Sequence, residues 1–337
     1  MKRFTKLCLI LGAVLLACGL VVSAAGYVGG AVRDIKNQRI SNRTPTTMET
    51  LDVPAGKLEL LDISLSSEDV NFYPSKDGDL HIEYPIRENV TYEYRDTGKT
   101  YQFYSSNSGR GWHWFRLEFG FWNREDIVNV YLPEGMGVEL STTSGDVLAQ
   151  NLGAGQIDIS TISGEIELQN LTAGDFGANS TSGSITLGDG TIAGNACFSS
   201  TSGEIEVTNT NISGTISCNT TSGEIDLSSV TVASQEKDAA GLSSISGDIS
   251  LATVTIQGGL DLSTTSGEID LEPATVYGDI DAESTSGDVT LDLVDAPKHR
   301  IDHTSSTSGG ISVTGGDEAG KFGISVSTTS GEIEIRD

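Results

Sequence analysis

Cysteine, basic charge and aromatic rings are the scarce materials of this sequence, and each scarcity removes a class of function. The four cysteines form no framework. Cys8 and Cys18 lie in an apolar N-terminal stretch, which leaves only Cys197 and Cys218 for the rest of the chain. No CxxC or Cys/His spacing marks a metal site. Aromatic residues make up 6% and hydrophobic residues 37%, low for a globular enzyme yet above the level of a disordered chain. Basic residues nearly vanish from the second half. Residues 1–136 hold 15 Lys/Arg against 17 Asp/Glu, whereas residues 137–337 hold 5 against 30, which supplies most of the net charge of −27. Such a body repels nucleic acid and anionic lipid, so neither is its partner, while cations and basic surfaces are compatible with it. What the chain has in quantity is glycine: 40 residues against seven prolines, with abundant Ser and Thr. That composition predicts many turns joined by short strands.

At the N-terminus, "MKRFTK" precedes 26 uncharged residues, Leu7 to Val32. As a helix this run is about 39 Å long, sufficient for a hydrocarbon core of about 30 Å. It is longer than the apolar stretch of a secretory signal, so the reading is a retained single-pass anchor over residues 1–44, linker included. Two other readings share the segment: a cleavage site at Val22–Ala25, and a lipoprotein box at Leu15–Cys18 with a lipid on Cys18. Lys2, Arg3 and Lys6 before the run are matched by Arg33, Lys36, Arg39 and Arg43 after it, so charge alone does not orient it. A long domain after a first N-terminal helix is usually exported, and the expectation is an extracytoplasmic body at the cell membrane.

Internal repetition dominates residues 137–337. Ser-Gly pairs end at Gly145, Gly164, Gly183, Gly203, Gly223, Gly247, Gly267, Gly287, Gly309 and Gly331, at intervals of 19, 19, 20, 20, 24, 20, 20, 22 and 22 residues. Two residues after the glycine every copy carries Val or Ile, and four after it every copy is aliphatic, from Ala149 and Leu168 to Val313 and Ile335. The intervening positions are mostly Asp, Glu, Ser or Thr. Five and seven before the glycine most copies are again apolar, with Thr304 and Asp302 as exceptions. This is the period-two pattern of strands with one buried face, two per copy, meeting at T-S-G. One copy buries too few side chains to offset the entropy of ordering its backbone, so neighbours must stack above and below it. The fold expected is an all-β, single-stranded β-solenoid of about ten coils of ~20 residues, with a β-rich N-terminal cap over residues 45–136 and one transmembrane helix before it.

The Ser-Gly pair itself reads as a corner. The glycine is expected to adopt positive φ where a Cβ would clash, and the Ser/Thr three residues earlier to bond turn backbone. Ten copies without a repeated His or Lys argue against a nucleophilic serine. The longer intervals contain "ASQEKDAAG", "DAPKHRIDH" and "GGDEAGKFG", which carry Lys237, Lys298, Arg300 and Lys321. These inserts occupy one part of the repeat and should bulge from one edge, where a partner site is most economically built.

"VYLPEGMGVELSTTSGDV" (Val130–Val147), followed by recurring T-S-G-[DE]-[IV], resembles the bacterial putative-adhesin family of β-solenoid domains of unknown function. The resemblance covers about residues 50–337. It implies the solenoid architecture and, through relatives tied to cell-envelope stress systems, a place in the envelope; it supplies no catalytic residues.

Ahead of the repeats, "LELLDISLSSEDVNFYP" (Leu58–Pro74) reads as a degenerate copy with Ser67-Glu68 in place of Ser-Gly, and "VTYEYRDTGKTYQFY" (Val90–Tyr104) as two strands about a D-T-G-K turn. "GRGWHWFRLEFGFW" holds Trp112, Trp114 and Trp122 together with alternating Phe115, Leu117, Phe119 and Phe121. It reads as a capping strand, with a sugar-stacking platform or membrane-interface wedge at the tryptophans as the functional alternatives.

One residue past the glycine, eight of ten copies carry an acid: Asp146, Glu165, Glu204, Glu224, Asp248, Glu268, Asp288 and Glu332. The densest patch is Glu204, Glu206, Glu224 and Asp226, a candidate site for a divalent cation such as Ca²⁺ although no Gly/Asp-rich calcium loop accompanies it. Cys218 should point inward and Cys197 outward, which argues against a disulfide. "SGEIEIRD" at residues 330–337 has no evident cap and suggests end-to-end self-association there. Three function classes follow: a non-catalytic surface, adhesion or envelope-scaffold protein; a polysaccharide-binding or polysaccharide-cleaving β-helix; and a regulatory partner of another membrane protein. Other envelope proteins and surface glycans are the partners these imply.

Overall fold

Alternation around each Ser-Gly pair becomes two strands that meet there. In the copy centred on Gly203, Ala196–Ser200 leads into the corner and Ile205–Thr208 leaves it. Ala196, Phe198, Ile205 and Val207 are buried, while Glu204 between them is exposed. The computed structural model describes residues 47–87, 90–107, 126–294 and 297–337. Successive copies stack in parallel with equivalent positions in register: Ile185, Ile205 and Ile225 on one ladder, Ala178, Phe198 and Cys218 on the other. Among the described residues the ladders belong to a 19-stranded and a 13-stranded sheet, and their inward side chains form one continuous core. Volumes compensate between coils. Phe176 lies beside Ala196 and Phe198 beside Ala178, so the two rings meet diagonally at 5.1 Å.

The coil has three sides, a number that the repeat pattern does not decide. Thr172–Ala173, Thr191–Ile192, Asn211–Ile212, Thr231–Val232 and Val254–Ile256 form a short parallel ladder of their own. Ala173, Ile192, Ile212, Val232 and Ile256 close the core along it. The chain reaches this side through a left-handed residue six positions after the glycine: Asn151, Asn170, Asp189, Asn209, Ser229 and Thr253 have φ between 48° and 58°. Asn and Asp tolerate that region best, and Asn170 Nδ2 donates to Asn151 Oδ1 of the previous coil at 2.6 Å.

Positive φ was expected at the Ser-Gly glycine instead, and the structure corrects this. None of the ten is left-handed. The glycine is required because coils approach at the corner too closely for any side chain. A Cβ on Gly203 would lie 1.9 Å from the Gly183 carbonyl oxygen, and one on Gly223 would lie 2.0 Å from that of Gly203. The hydroxyls three residues earlier act as expected. The Gly203 amide donates to Ser200 Oγ at 2.8 Å, and the Thr264 hydroxyl donates to the Gly247 carbonyl of the preceding coil at 3.1 Å.

Coil order departs from chain order at both ends. Leu60–Ser64 and Asp69–Pro74, the degenerate copy, pair with the Gly145 coil on one side and with Thr100–Asn107 and Ile127–Leu132 on the other. Glu68 occupies the glycine position there. Its buried carboxylate accepts from the Ser67 amide at 3.0 Å and the Tyr92 hydroxyl at 3.1 Å. Beyond this level, Val90–Asp96 folds back on Thr100–Asn107 about Gly98 (φ 95°), and Leu80–Pro85 and Met48–Val53 extend the opposite sheet antiparallel. Tyr84, Tyr92 and Phe103, with centroids 4.8–5.5 Å apart, plug the end as a cap must.

At the other end the last copy in sequence is not the last in space. Gly323–Ser330 and Ile333–Arg336 lie between the Gly287 coil and the Gly309 coil. Ile333 and Ile335 are therefore buried, and the open end expected at residues 330–337 belongs instead to Arg300–Ser308 and Ile311–Thr314. There Ile311 and Val313 are 45% and 40% exposed. The two polar exceptions have separate reasons. A register shift between Ile301 and His303 puts Ile301 opposite Ile324 and leaves Asp302 exposed against Arg300, whereas Thr304 does face inward opposite Val326, in a coil with a neighbour on one side only. Buried His299 fastens the arrangement, with Nδ1 2.8 Å from Asp337 Oδ1 and its amide donating to Oδ2 at 3.0 Å.

Candidate functional site

The acids one residue past the glycine line one outer corner, but they are two populations. Asp is short enough to cap the backbone of the next coil. Asp146 Oδ1 accepts the Glu165 amide at 2.9 Å, Asp248 that of Glu268 at 2.8 Å, and Asp288 that of Glu332 at 2.7 Å. Glu165, Glu204 and Glu224 instead border a shallow depression of about 490 Å³ with Ser163, Ser182, Ser202 and Ser222. Glu206 and Asp226 are register partners, and Glu204 and Glu224 sit one residue before the register pair Ile205 and Ile225. Partial burial, then Glu224, Glu206 and Asp226, raise the Glu204 pKa above its ordinary value. The four carboxylates thus form a repulsive ladder. Among the described residues no group of three or more His, Cys, Asp or Glu converges to hold a metal ion, so the candidate calcium patch gains no coordination cage from the fold.

Trp112, Trp114 and Trp122 lie outside the described residues, as does the apolar run Leu7 to Val32. No helix among the described residues is long and apolar enough to cross a membrane. Cys197 is exposed and Cys218 buried, both as free thiols on opposite faces, as their positions in the repeat require.

The inserts do converge on one edge. The Asp317 amide donates to the His299 carbonyl at 2.8 Å, and Arg300 Nη1 to the Gly320 carbonyl at 3.1 Å. Beside them runs a groove of about 480 Å³, open to solvent. Its wall is a column that sequence reasoning missed: Lys237, Gln257, Tyr277 and Lys321 each stand ten residues before the glycine of their coil, on four successive levels. Gly258, Gly259 and Gly278 give it a floor of bare backbone, since a Cβ on Gly278 would lie 2.3 Å from the Gly258 carbonyl carbon. Lys321 Nζ sits 4.5 Å from the Phe322 ring centroid. Aligning the copies on glycine reveals three of these residues, but Lys321 joins them only through the exchange of the last two coils.

These features define a three-sided, fully packed β-solenoid with surface grooves. The model of the Toastrack DUF4097 family matches residues 58–235 and 228–336, and the chain belongs to that family. Among solved structures, a putative cell adhesion protein from Clostridium sporogenes aligns over 86% of this chain and 98% of its own, at 11% identity and a TM-score of 0.25. A putative adhesin from Bacteroides fragilis aligns over 74% and 99%, at 18% identity and a TM-score of 0.41. No curated protein matches the sequence.

Proposed function

We propose that the chain is a non-catalytic surface protein, an adhesin-type or envelope-scaffold rod held at the membrane by its N-terminal segment with the solenoid outside. One observation carries this reading. The interior is filled by stacked aliphatic columns, so recognition falls to the outer ladders and the insert edge. Polysaccharide cleavage would call for two carboxylates flanking one scissile bond, whereas these acids run as a ladder along the rod. Protease treatment of intact cells tests the placement, and adhesion of cells lacking the chain tests the role. Digestion of the solenoid with reduced adhesion or envelope integrity is expected; a protected solenoid would overturn the reading.

A second reading, end-to-end assembly, draws on the uncovered Ile311 and Val313, which continue the otherwise buried Ile333 and Ile335 columns. Concentration-dependent sedimentation abolished by Val313→Lys supports it, and a strict monomer contradicts it.

A further inference from the structure

We propose that the edge groove binds a short anionic glycan segment, which rests on the surface-recognition reading and supplies its ligand class. The first argument is charge. In residues 137–337 only five side chains are Lys or Arg, against 30 acids, and two of the five border this groove. Among the described residues the Lys and Arg ion pairs join Arg87–Asp126, Lys99–Glu59, Arg300–Asp302 and Arg336 with Asp292 and Glu334. Lys57, Lys76, Arg95, Lys237, Lys298 and Lys321 have no salt-bridge partner among the described residues, and of these Lys237 and Lys321 border the groove. These two stand three coil steps apart, about 14 Å along the rod, as a pair of cationic ends.

The second argument is shape. Between the lysines the groove offers the Gln257 amide, the Tyr277 ring and a flat glycine backbone, without a deep apolar pocket for an anchoring peptide side chain. Such a surface suits a hydroxylated ring, with its C–H face on the aromatic and its hydroxyls on the amide. Two acids also border the groove, Glu236 and Asp279; Asp279 is engaged with the chain itself, accepting the Gly323 amide at 2.8 Å. The anion on the glycan could be a carboxylate or a phosphate, and the ammonium groups recognise either.

The test is titration calorimetry of the full chain at physiological salt with four probes: a galacturonate tetramer, a glycerol-phosphate oligomer, a neutral glucan tetramer and a poly-glutamate peptide of equal charge. Binding of one of the first two is expected, with the arms distinguishing carboxylate from phosphate. Affinity should fall by about tenfold or more in Lys237→Gln/Lys321→Gln and hold in Lys76→Gln, an exposed lysine away from the groove, with unchanged unfolding midpoints. No binding of either glycan-like probe, equal binding of poly-glutamate, or binding that survives the double substitution overturns the proposal. Adhesion retained by cells carrying the double variant would leave the surface role intact while removing the groove from it.

Discussion

Replacing Gly203 with Ala puts the close approach of coils under direct test. The new Cβ would lie 1.9 Å from the Gly183 carbonyl oxygen and 2.5 Å from its carbon, where ordinary contact begins near 3.4 Å. Relief requires the corner to open by about 1.5 Å, the difference between those two distances. Two ladder bonds cross that gap, Ser202 amide to Thr181 carbonyl at 3.0 Å and Ile185 amide to Glu204 carbonyl at 2.9 Å. Both would stretch beyond hydrogen-bonding range. At about 1–3 kcal/mol for each of the two amides left without an acceptor, the expected loss is about 2–6 kcal/mol. Gly241→Ala is the matched control, because a Cβ there meets nothing within 4 Å, and restricting the unfolded chain should stabilise it by about 0.4–1 kcal/mol. Urea unfolding at equal m-values reads both. Equal effects of the two substitutions, or a Gly203→Ala protein as stable as the parent, would refute the stacking argument.

Other outcomes follow from individual side chains. Asp248→Ala removes the acceptor of the Glu268 amide and should cost about 1–2 kcal/mol in the same assay, whereas Asp248→Asn should retain most of the stability. Glu204 has a raised pKa, so its ionised form is disfavoured by the fold. Glu204→Gln should raise the melting temperature at pH 7, with the gain fading as pH falls through the raised folded value and gone below about 4, where the unfolded carboxyl is protonated too. His81 is held above its ordinary pKa by the bond to Asp77, then Asp52, at 2.9 and 2.7 Å. Its contribution is complete below the unfolded value of about 6.5 and is lost as pH rises through the folded one. The melting-temperature difference between parent and His81→Gln should therefore shrink from pH 5.5 to 8.5. Cys218 is buried with its pKa driven far up by desolvation, so peptide mapping after alkylation should find Cys197 labelled in the native protein and Cys218 only after unfolding.

The coils, their inward columns, the degenerate level at Ser67-Glu68 and the D-T-G-K hairpin were legible because alternation with a fixed period leaves one answer. The third side was not. Its strands are two or three residues long, and its approach column runs Leu152, Leu171, Gly190, Thr210, Val230, too mixed in polarity to announce a buried face. The glycine requirement was legible, but its cause was not, because the clash is with a neighbouring coil 19–24 residues away and not with local backbone. The exchanged ends were hidden for a related reason. Copies with the same pattern can stack in any order, and only the inward Thr304 betrays which one lacks a neighbour. The edge groove inherits that blindness, since Lys321 lies beside Asp279 only once the final coil has been slotted inward.

A pair of engineered cysteines reads the stacking and its order at once. Glu283 and Ser327 are register partners on adjacent coils, within the Cα separation of about 4.4–6.8 Å that a disulfide spans. Ser305 lies one coil further on, about 9.6 Å from Glu283. With all four native cysteines replaced, Glu283→Cys/Ser327→Cys should oxidise readily to an intramolecular crosslink, and Glu283→Cys/Ser305→Cys should not. A crosslink at 283/305 in place of 283/327 would contradict the exchanged order, and failure of both would contradict the stacked solenoid itself.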